Sequence, residues 1–184
     1  GGLYVMVFAA RFPEQVAGVV LLDATHPQMF TRAPGYETFY QAFRRAGAFL
    51  PTIARFGVGR LAYSSAFDSL PAESRALQRV RWATVRHARG QRDEWAQAPA
   101  VMTQAAALGS LGARPLIIVT AGQNGLNGWM ALQEDLATLS TNSLHRVAVG
   151  ASHASLLDSQ ADAAGSIQAI RDVVEAVRTG RAVR

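Results

Sequence analysis

The sequence contains no cysteine and no lysine, and each absence narrows what the protein can do. Without cysteine in its 184 residues, it can form neither a disulfide nor a thiolate site. Its 18 basic side chains are all arginine and outnumber the 13 acidic ones, for a formal net charge of +5. A basic surface can bind nucleic acid or an anionic membrane. Because the arginines are mixed with Asp and Glu, coding bias in a GC-rich genome explains them better, and no nucleic-acid partner is expected.

Long apolar runs and metal-ligand spacings are also lacking. No run reaches the roughly 20 apolar residues that a membrane span needs. The histidines, His26, His87, His145 and His153, are spread along the chain without the spacing of a metal site, so no metal is implied. Hydrophobic residues make up 49% of the sequence and charged residues 17%, a balance typical of a globular domain with a core.

The beginning of the sequence has neither an initiator methionine nor a signal peptide. It opens with Gly1-Gly2 directly before an apolar helical pattern over residues 3–12. This is the pattern expected of a chain that starts inside a structural element. We therefore expect membrane association only through a segment preceding Gly1.

Helical and strand patterns alternate along the chain, except in its middle. Apolar runs at 16–23, 115–120 and 145–150 predict buried parallel strands, and amphipathic patterns at 129–140 and 161–180 predict helices. Between them, residues 36–112 have helical spacing without a strand signal. The predicted organisation is α/β, with a core over residues 1–35 and 113–184 and a helical lid over residues 36–112.

Two candidate catalytic residues follow predicted strands. Asp23 closes the first strand, and His153 lies in a Gly-Ala-Ser-His turn after the third. In open parallel sheets, reactive groups gather at the carboxyl ends of the strands. A histidine held there can accept a proton from a hydroxyl nucleophile, and a carboxylate from a neighbouring strand end can fix its tautomer. The alternative is that His153 is an ordinary surface-loop histidine.

The order and wording of these segments resemble a known family. Residues 1–23, from Gly1-Gly2-Leu3-Tyr4 to the Asp that ends VAGVVLLD, resemble the segment after the nucleophile elbow of α/β-hydrolases, which reads G-x-S-x-G. PLIIVTAG, LQEDLATLS and GASH follow in the family's order, and the D-A-T-H-P and T-A-G wording is closest to a bacterial, lid-containing group. The resemblance implies the C-terminal part of an α/β-hydrolase fold, with parallel strands, flanking helices and a helical lid insertion.

The same resemblance implies where the catalytic groups lie. Gly1 is matched to the last glycine of the elbow, so the serine would stand two residues before it, and the oxyanion hole would also lie outside these residues. His153 is matched to the base. The acid usually follows the strand matched to PLIIVTAG, where this chain has Gln123-Asn124 and no carboxylate. Some members place the acid one strand earlier, which favours Asp23.

Other roles remain open at this point. Asp158 and Asp135 are weaker candidates for the acid, and Asp23 has the alternative of capping the turn that follows it. His26 is a candidate for the pocket mouth, with a role in ordering its loop as the alternative. Asn124 is a candidate for a hydrogen bond to substrate, although Gly and Asn also form ordinary turns.

Aromatic residues of the predicted lid, among them Tyr40 and Phe43, are candidates for lining an apolar substrate pocket. Aromatics at helical spacing more often form the packing face of a helix. Both interpretations are compatible, because the buried face of a lid is also the roof of a pocket.

The predicted function is hydrolysis of an ester or related acyl bond in a small apolar substrate by a Ser-His-Asp mechanism, without a cofactor. One alternative is a truncated or degenerate hydrolase fold without catalysis. Another is an aspartate nucleophile in a G-x-D-x-G elbow, as in dehalogenase- or epoxide-hydrolase-like enzymes. The 184 residues alone are expected to be inactive, because they lack the nucleophile.

Overall fold

The computed structural model describes residues 1–63, 67–123 and 125–184. It divides the chain into two compact units. The first unit comprises Gly1–Pro34 and Ala100–Arg184, and the second comprises Gly35–Pro99. Each unit is described by itself below.

The elements alternate as an α/β chain interrupted by a purely helical segment. In chain order they are α1 (Gly2–Arg11), a short 3-10 helix (Pro13–Gln15), β1 (Val19–Leu22), α2 (Met29–Arg32), α3 (Tyr36–Gly47), α4 (Leu50–Arg55), α5 (Val58–Ala62), α6 (Ala72–Trp82), α7 (Val85–Ala105), β2 (Leu116–Ala121), α8 (Trp129–Ala137), β3 (Ser143–Ala148), α9 (Ser155–Asp158) and α10 (Gln160–Thr179). Within the described ranges, every helix falls short of the length and apolar character required to cross a bilayer.

The described strands form one parallel sheet in the order β1-β2-β3. Val19 pairs with Leu116, and Leu116 pairs with Ser143. All of β2 is buried, as expected of a central strand in a parallel sheet that helices cover on both faces. This arrangement confirms the predicted α/β class and the parallel pairing of the three strands.

Alternate residues of β2 point into two separate hydrophobic clusters. Leu116 and Ile118 pack with Met6 of α1 and Leu136 of α8 on one face. On the other face, Ile117 and Val119 join side chains of α9 and α10, including Leu156 and Val173. Each fully buried aliphatic side chain contributes about 1.5–3 kcal/mol. The two clusters fix both the sheet and the helices that carry the candidate site.

Gly2 allows α1 to approach the chain that leaves β1. A Cβ atom at this position would lie 2.4 Å from the Cβ of Ala24. No side chain fits in that space without a shift of the backbone. The expected role of Gly2 in close helix–strand packing is confirmed.

The structure differs from the predicted boundaries in three places. The first strand is shorter than 16–23, because a 3-10 turn directly precedes Val16 and pairing begins only at Val19. The third strand starts at Ser143 rather than at 145 and ends at Ala148, two residues before Gly150 turns the chain with φ 85°. Residues 100–112, which the sequence assigned to the helical lid, belong to the first unit, where their apolar side chains are buried: Met102, Ala105, Leu108 and Leu111.

The second unit is helical and more basic than the first. The Tyr40 hydroxyl of α3 donates a 2.6 Å hydrogen bond to the Trp95 carbonyl of α7. Gly47 packs so closely against the Trp95 ring that a Cβ there would lie 2.4 Å from it. This unit contains ten arginines and five acidic residues, whereas the first contains eight of each. The whole net charge of the chain therefore resides in the second unit.

Candidate active site

Asp23 follows β1 as a buried carboxylate with several hydrogen-bond donors. Its backbone N–H donates to the Val119 carbonyl at 2.7 Å, which continues the pairing with β2 for one more residue. Its backbone then turns into the left-handed region, with φ 45°. The side-chain Oδ1 accepts hydrogen bonds from the Ala121 N–H at 3.1 Å and from the Trp129 indole N–H at 2.9 Å. These two donors leave Oδ2 for a third partner.

His153 is that partner. Gly150 turns the chain after β3, and the Ser152 and Ser155 hydroxyls each accept a hydrogen bond from the other residue's backbone N–H, at 3.2 and 2.8 Å. This loop holds the His153 Nδ1 atom 2.8 Å from Oδ2 of Asp23. The carboxylate is completely buried, while 71% of the imidazole side chain is exposed.

The tautomer of His153 follows from this hydrogen bond. A carboxylate accepts hydrogen bonds and cannot donate them, so Nδ1 carries the proton and donates it to Asp23. In the neutral ring, Nε2 is therefore an acceptor. None of the described residues hydrogen-bonds Nε2. The exposed atom of the ring is thus the one that can receive a proton.

The electrostatics favour an ionised Asp23 and a basic His153. Burial raises the pKa of Asp23, but the hydrogen bonds from His153, Trp129 and Ala121 outweigh it and leave the pKa below its ordinary value. The pKa of His153 is raised, first by its hydrogen bond to Asp23 and also by that residue's charge. Partial burial and the positive amino group of Gly1 oppose this rise, and the latter effect indicates that Gly1 lies near the imidazole.

Helix α8 supports the acid through two side chains that the sequence analysis missed. Trp129, at its first position, donates to the Asp23 carboxylate, and Gln133, one turn later, donates its Nε2 proton to the Ala24 carbonyl at 2.7 Å. Gln133 is fully buried. Their spacing of four residues places both on one face of α8. A polar side chain at buried helical spacing is the only signal the sequence offered, and it does not identify the partner.

His26 and Asp135 form a second histidine–carboxylate pair in the first unit. The Gln28 N–H donates to Nδ1 of His26 at 3.0 Å, so Nε2 carries the proton and donates to Asp135 at 2.9 Å. Arg32 also donates to Asp135, at 2.8 Å. Both ring nitrogens of His26 are therefore occupied. Contact of His26 with substrate stays a prediction, and these hydrogen bonds favour the alternative role of ordering its loop.

The remaining candidates have different positions. Asp135 bonds to His26 and Arg32, and no described contact joins Asp158, at the end of α9, to His153. Asn124 lies outside the described residues. Tyr40 and Phe43 lie on α3 of the second unit, where the Phe43 ring is 4.0 Å from the ring of Trp95. Their contact with substrate stays a prediction.

Metal ligands are not grouped anywhere in the part of the chain that the structure describes. No cluster of three or more His, Asp or Glu side chains there could hold a metal ion. The chemistry available at Asp23 and His153 is proton transfer.

The sequence matches no protein-family model and no curated protein. Solved structures nevertheless share its fold. A loop variant of a haloalkane dehalogenase from Bradyrhizobium elkanii aligns with a TM-score of 0.59 and 18% identity, over 98% of this chain and 67% of that one. The wild-type structure of DBJA aligns with the same values. The likeness shows the fold predicted from the segment order: this chain has the parallel sheet and flanking helices of an α/β-hydrolase.

Proposed function

We propose that His153 and Asp23 are the base and the acid of an α/β-hydrolase that cleaves an ester or related acyl bond. The observation that carries this proposal is the 2.8 Å hydrogen bond from Nδ1 of an exposed imidazole to a buried, ionised carboxylate. In the Ser-His-Asp arrangement, the carboxylate fixes the tautomer and stabilises the imidazolium, and Nε2 faces the nucleophile.

The proposed reaction uses Nε2 of His153 twice. As a serine Oγ attacks the carbonyl carbon of the substrate, Nε2 takes the hydroxyl proton, and it then gives that proton to the leaving alcohol. A water molecule repeats the sequence, releasing the acid and restoring the serine. The serine would precede Gly1 by two residues, and the nearness of the Gly1 amino group to His153 supports this placement.

The substrate class is proposed to be small and largely apolar. Its support is indirect: the helices of the second unit contain many aromatic side chains, including Tyr40 and Phe43. No cofactor is needed for this chemistry.

A second candidate function uses the same two residues. Because one similar solved structure is a haloalkane dehalogenase, the nucleophile could be an aspartate in the same elbow. Its carboxylate would displace a halide to form an alkyl ester, and His153 would then take a proton from the water that hydrolyses that ester. The identity of the residue two positions before Gly1 distinguishes the two functions.

The test measures p-nitrophenyl ester hydrolysis and halide release by a protein that includes the residues preceding Gly1. His153→Ala should reduce the active reaction roughly 10³-fold or more, because it removes the general base. His145→Ala is the matched control and should leave kcat nearly unchanged, since the His145 ring bonds to Thr120 instead. Unchanged turnover in His153→Ala would refute the proposal, and turnover by residues 1–184 alone, with contamination excluded, would refute the placement of the nucleophile.

A further inference from the structure

Helix α4 of the second unit exposes a row of large apolar side chains. Phe49, Ile53 and Phe56 are spaced by four and three residues, so they lie on one face of the helix. Phe49 is 65% exposed and Phe56 is 81% exposed, and Val58, at the start of α5, is also exposed. Large aromatic side chains with this much exposure are costly in water unless they contact another apolar phase.

The charge around this row has one sign. Residues 38–67 include four arginines, Arg44, Arg45, Arg55 and Arg60, and no Asp or Glu. Within the described residues of the second unit, the ion pairs use other arginines, on α6 and α7: Arg75, Arg79 and Arg92. The arginines that flank the apolar row therefore have no carboxylate partner and keep their attraction for an external anion.

Short helices with exposed aromatic and aliphatic residues beside unpaired arginines fit the interface of a lipid bilayer. The apolar row can enter the boundary between headgroups and acyl chains, and the arginine stems can extend to place their guanidinium groups among lipid phosphates. Nucleic acid would use the arginines but would offer no apolar phase for Ile53 and Val58. The charge and the apolar row together favour a membrane.

We propose that α4 and the start of α5 bind the surface of a bilayer that contains anionic phospholipids. The contact consists of Phe49, Ile53 and Phe56, with Arg55 and Arg60 beside them. This interaction needs no segment preceding Gly1, in contrast to the expectation from the sequence, and it does not depend on catalysis.

The experiment is sedimentation of the 184-residue chain with lipid vesicles. We expect binding to phosphatidylcholine vesicles containing about 30% phosphatidylglycerol, little binding to pure phosphatidylcholine, and loss of binding as salt shortens the Debye length. Equal binding to both vesicles, or sedimentation of the chain without vesicles, would overturn the proposal. So would displacement of the chain from the vesicles by duplex DNA at low concentration, because the arginines would then prefer nucleic acid.

Two variants and a control locate the surface. Arg55→Gln/Arg60→Gln should weaken partitioning about 25-fold, because each basic residue near an anionic membrane contributes about fivefold. Phe49→Ser/Phe56→Ser should weaken it at least roughly tenfold through lost apolar burial. Leu77→Ser/Val80→Ser, on α6, is the control because both side chains are 68% exposed, and it should bind like the unaltered chain.

A loss in the control equal to that in the α4 variants would contradict the assignment to α4. Circular dichroism checks that each variant is folded. If the phenylalanine variant unfolds, the arginine pair decides, since both of its side chains are exposed and unbonded within the described residues.

Discussion

The first unit contains two hydrogen-bonded histidine–aspartate pairs of nearly equal length, and they are built in opposite ways. In His153–Asp23 the carboxylate is buried and the imidazole is exposed, whereas in His26–Asp135 the imidazole is buried and the carboxylate is 39% exposed. His153 donates from Nδ1 and leaves Nε2 open. His26 donates from Nε2 and has its Nδ1 occupied by the Gln28 N–H.

The comparison shows that distance alone does not distinguish a reactive pair from a structural one. The pKa of His153 is raised because its hydrogen bond to Asp23 outweighs its partial burial. The pKa of His26 is lowered because burial outweighs the hydrogen bond to Asp135. The same partner type therefore produces a base at one site and a neutral, loop-ordering ring at the other.

The largest expected difference between the pairs is in catalysis. In the hydrolase proposed above, Asp23→Asn should lower kcat by about 10⁴-fold, because the amide N–H would donate to Nδ1 and force the proton onto Nε2. Asp135→Asn makes the same chemical change in the other pair and should leave kcat nearly unchanged. Steady-state kinetics of both variants test this, and similar losses would mean that the two pairs do not differ in role.

Trp129→Phe should have a smaller effect on the same pair. It removes the indole N–H that bonds to Asp23 at 2.9 Å, so the pKa of Asp23 should rise and its hold on His153 should weaken. We expect kcat to fall roughly tenfold, the effect of one hydrogen bond to a charged group. The pH–rate profile should also show a lower pKa for His153.

Trp82→Phe, in the second unit, is the matched control for Trp129→Phe, because it makes the same substitution at an indole that packs against other rings. An equal loss of kcat in both variants would indicate general destabilisation. A kcat loss in Trp129→Phe without a change in the pH profile would contradict a positioning role.

Proton titration of the two rings compares the pairs directly in the 184-residue chain. Two-dimensional NMR should show His153 titrating above the ordinary histidine value and His26 below it. Asp23→Asn should lower the pKa of His153 alone, and Asp135→Asn should lower that of His26 alone. The reverse order of the two pKa values would invalidate the comparison.

The smallest expected effect is on stability, where the two histidines should act with opposite signs. The raised pKa of His153 stabilises the fold at low pH, and this contribution is lost as pH rises through its folded pKa. The lowered pKa of His26 stabilises the fold at higher pH, and this contribution is lost as pH falls through its folded pKa.

Urea unfolding of His153→Gln and His26→Gln at about pH 5 and about pH 8 tests these signs. On acidification, His153→Gln should lose more stability than the unaltered chain, and His26→Gln should lose less. For the exposed His153 the difference should stay below about 1 kcal/mol. A pH dependence of the same sign in both variants would contradict the assigned burial.

The strand order and the meeting of Asp23 with His153 could be predicted from sequence because both depend on short-range patterns. Apolar runs identify β1 and β2, and a parallel sheet brings the ends of neighbouring strands to one edge. The absence of a carboxylate after β2 left Asp23 as the favoured acid. The structure confirms their proximity, while the catalytic role stays a proposal.

Contacts that depend on tertiary packing could not be predicted in this way. The link from His26 to Asp135 spans 109 positions, and nothing local in either segment indicates it. Trp129 carried no recognisable signal, because an indole at a helix start packs against carbon as often as it bonds to a carboxylate. Residues 100–112 share the helical pattern of the preceding segment, so only their burial in the first unit separates them from it.

The left-handed backbone of Asp23 restricts how this position can evolve. At φ 45°, Asn, Asp and Gly are accommodated at little cost, whereas a longer side chain is strained. The acid can therefore be lost through a single change to Asn with the turn intact. It cannot be exchanged in place for Glu, which would meet the backbone strain and also displace the carboxylate from Trp129. A lineage that uses glutamate for the same purpose would have to place it on another strand end or rebuild this turn.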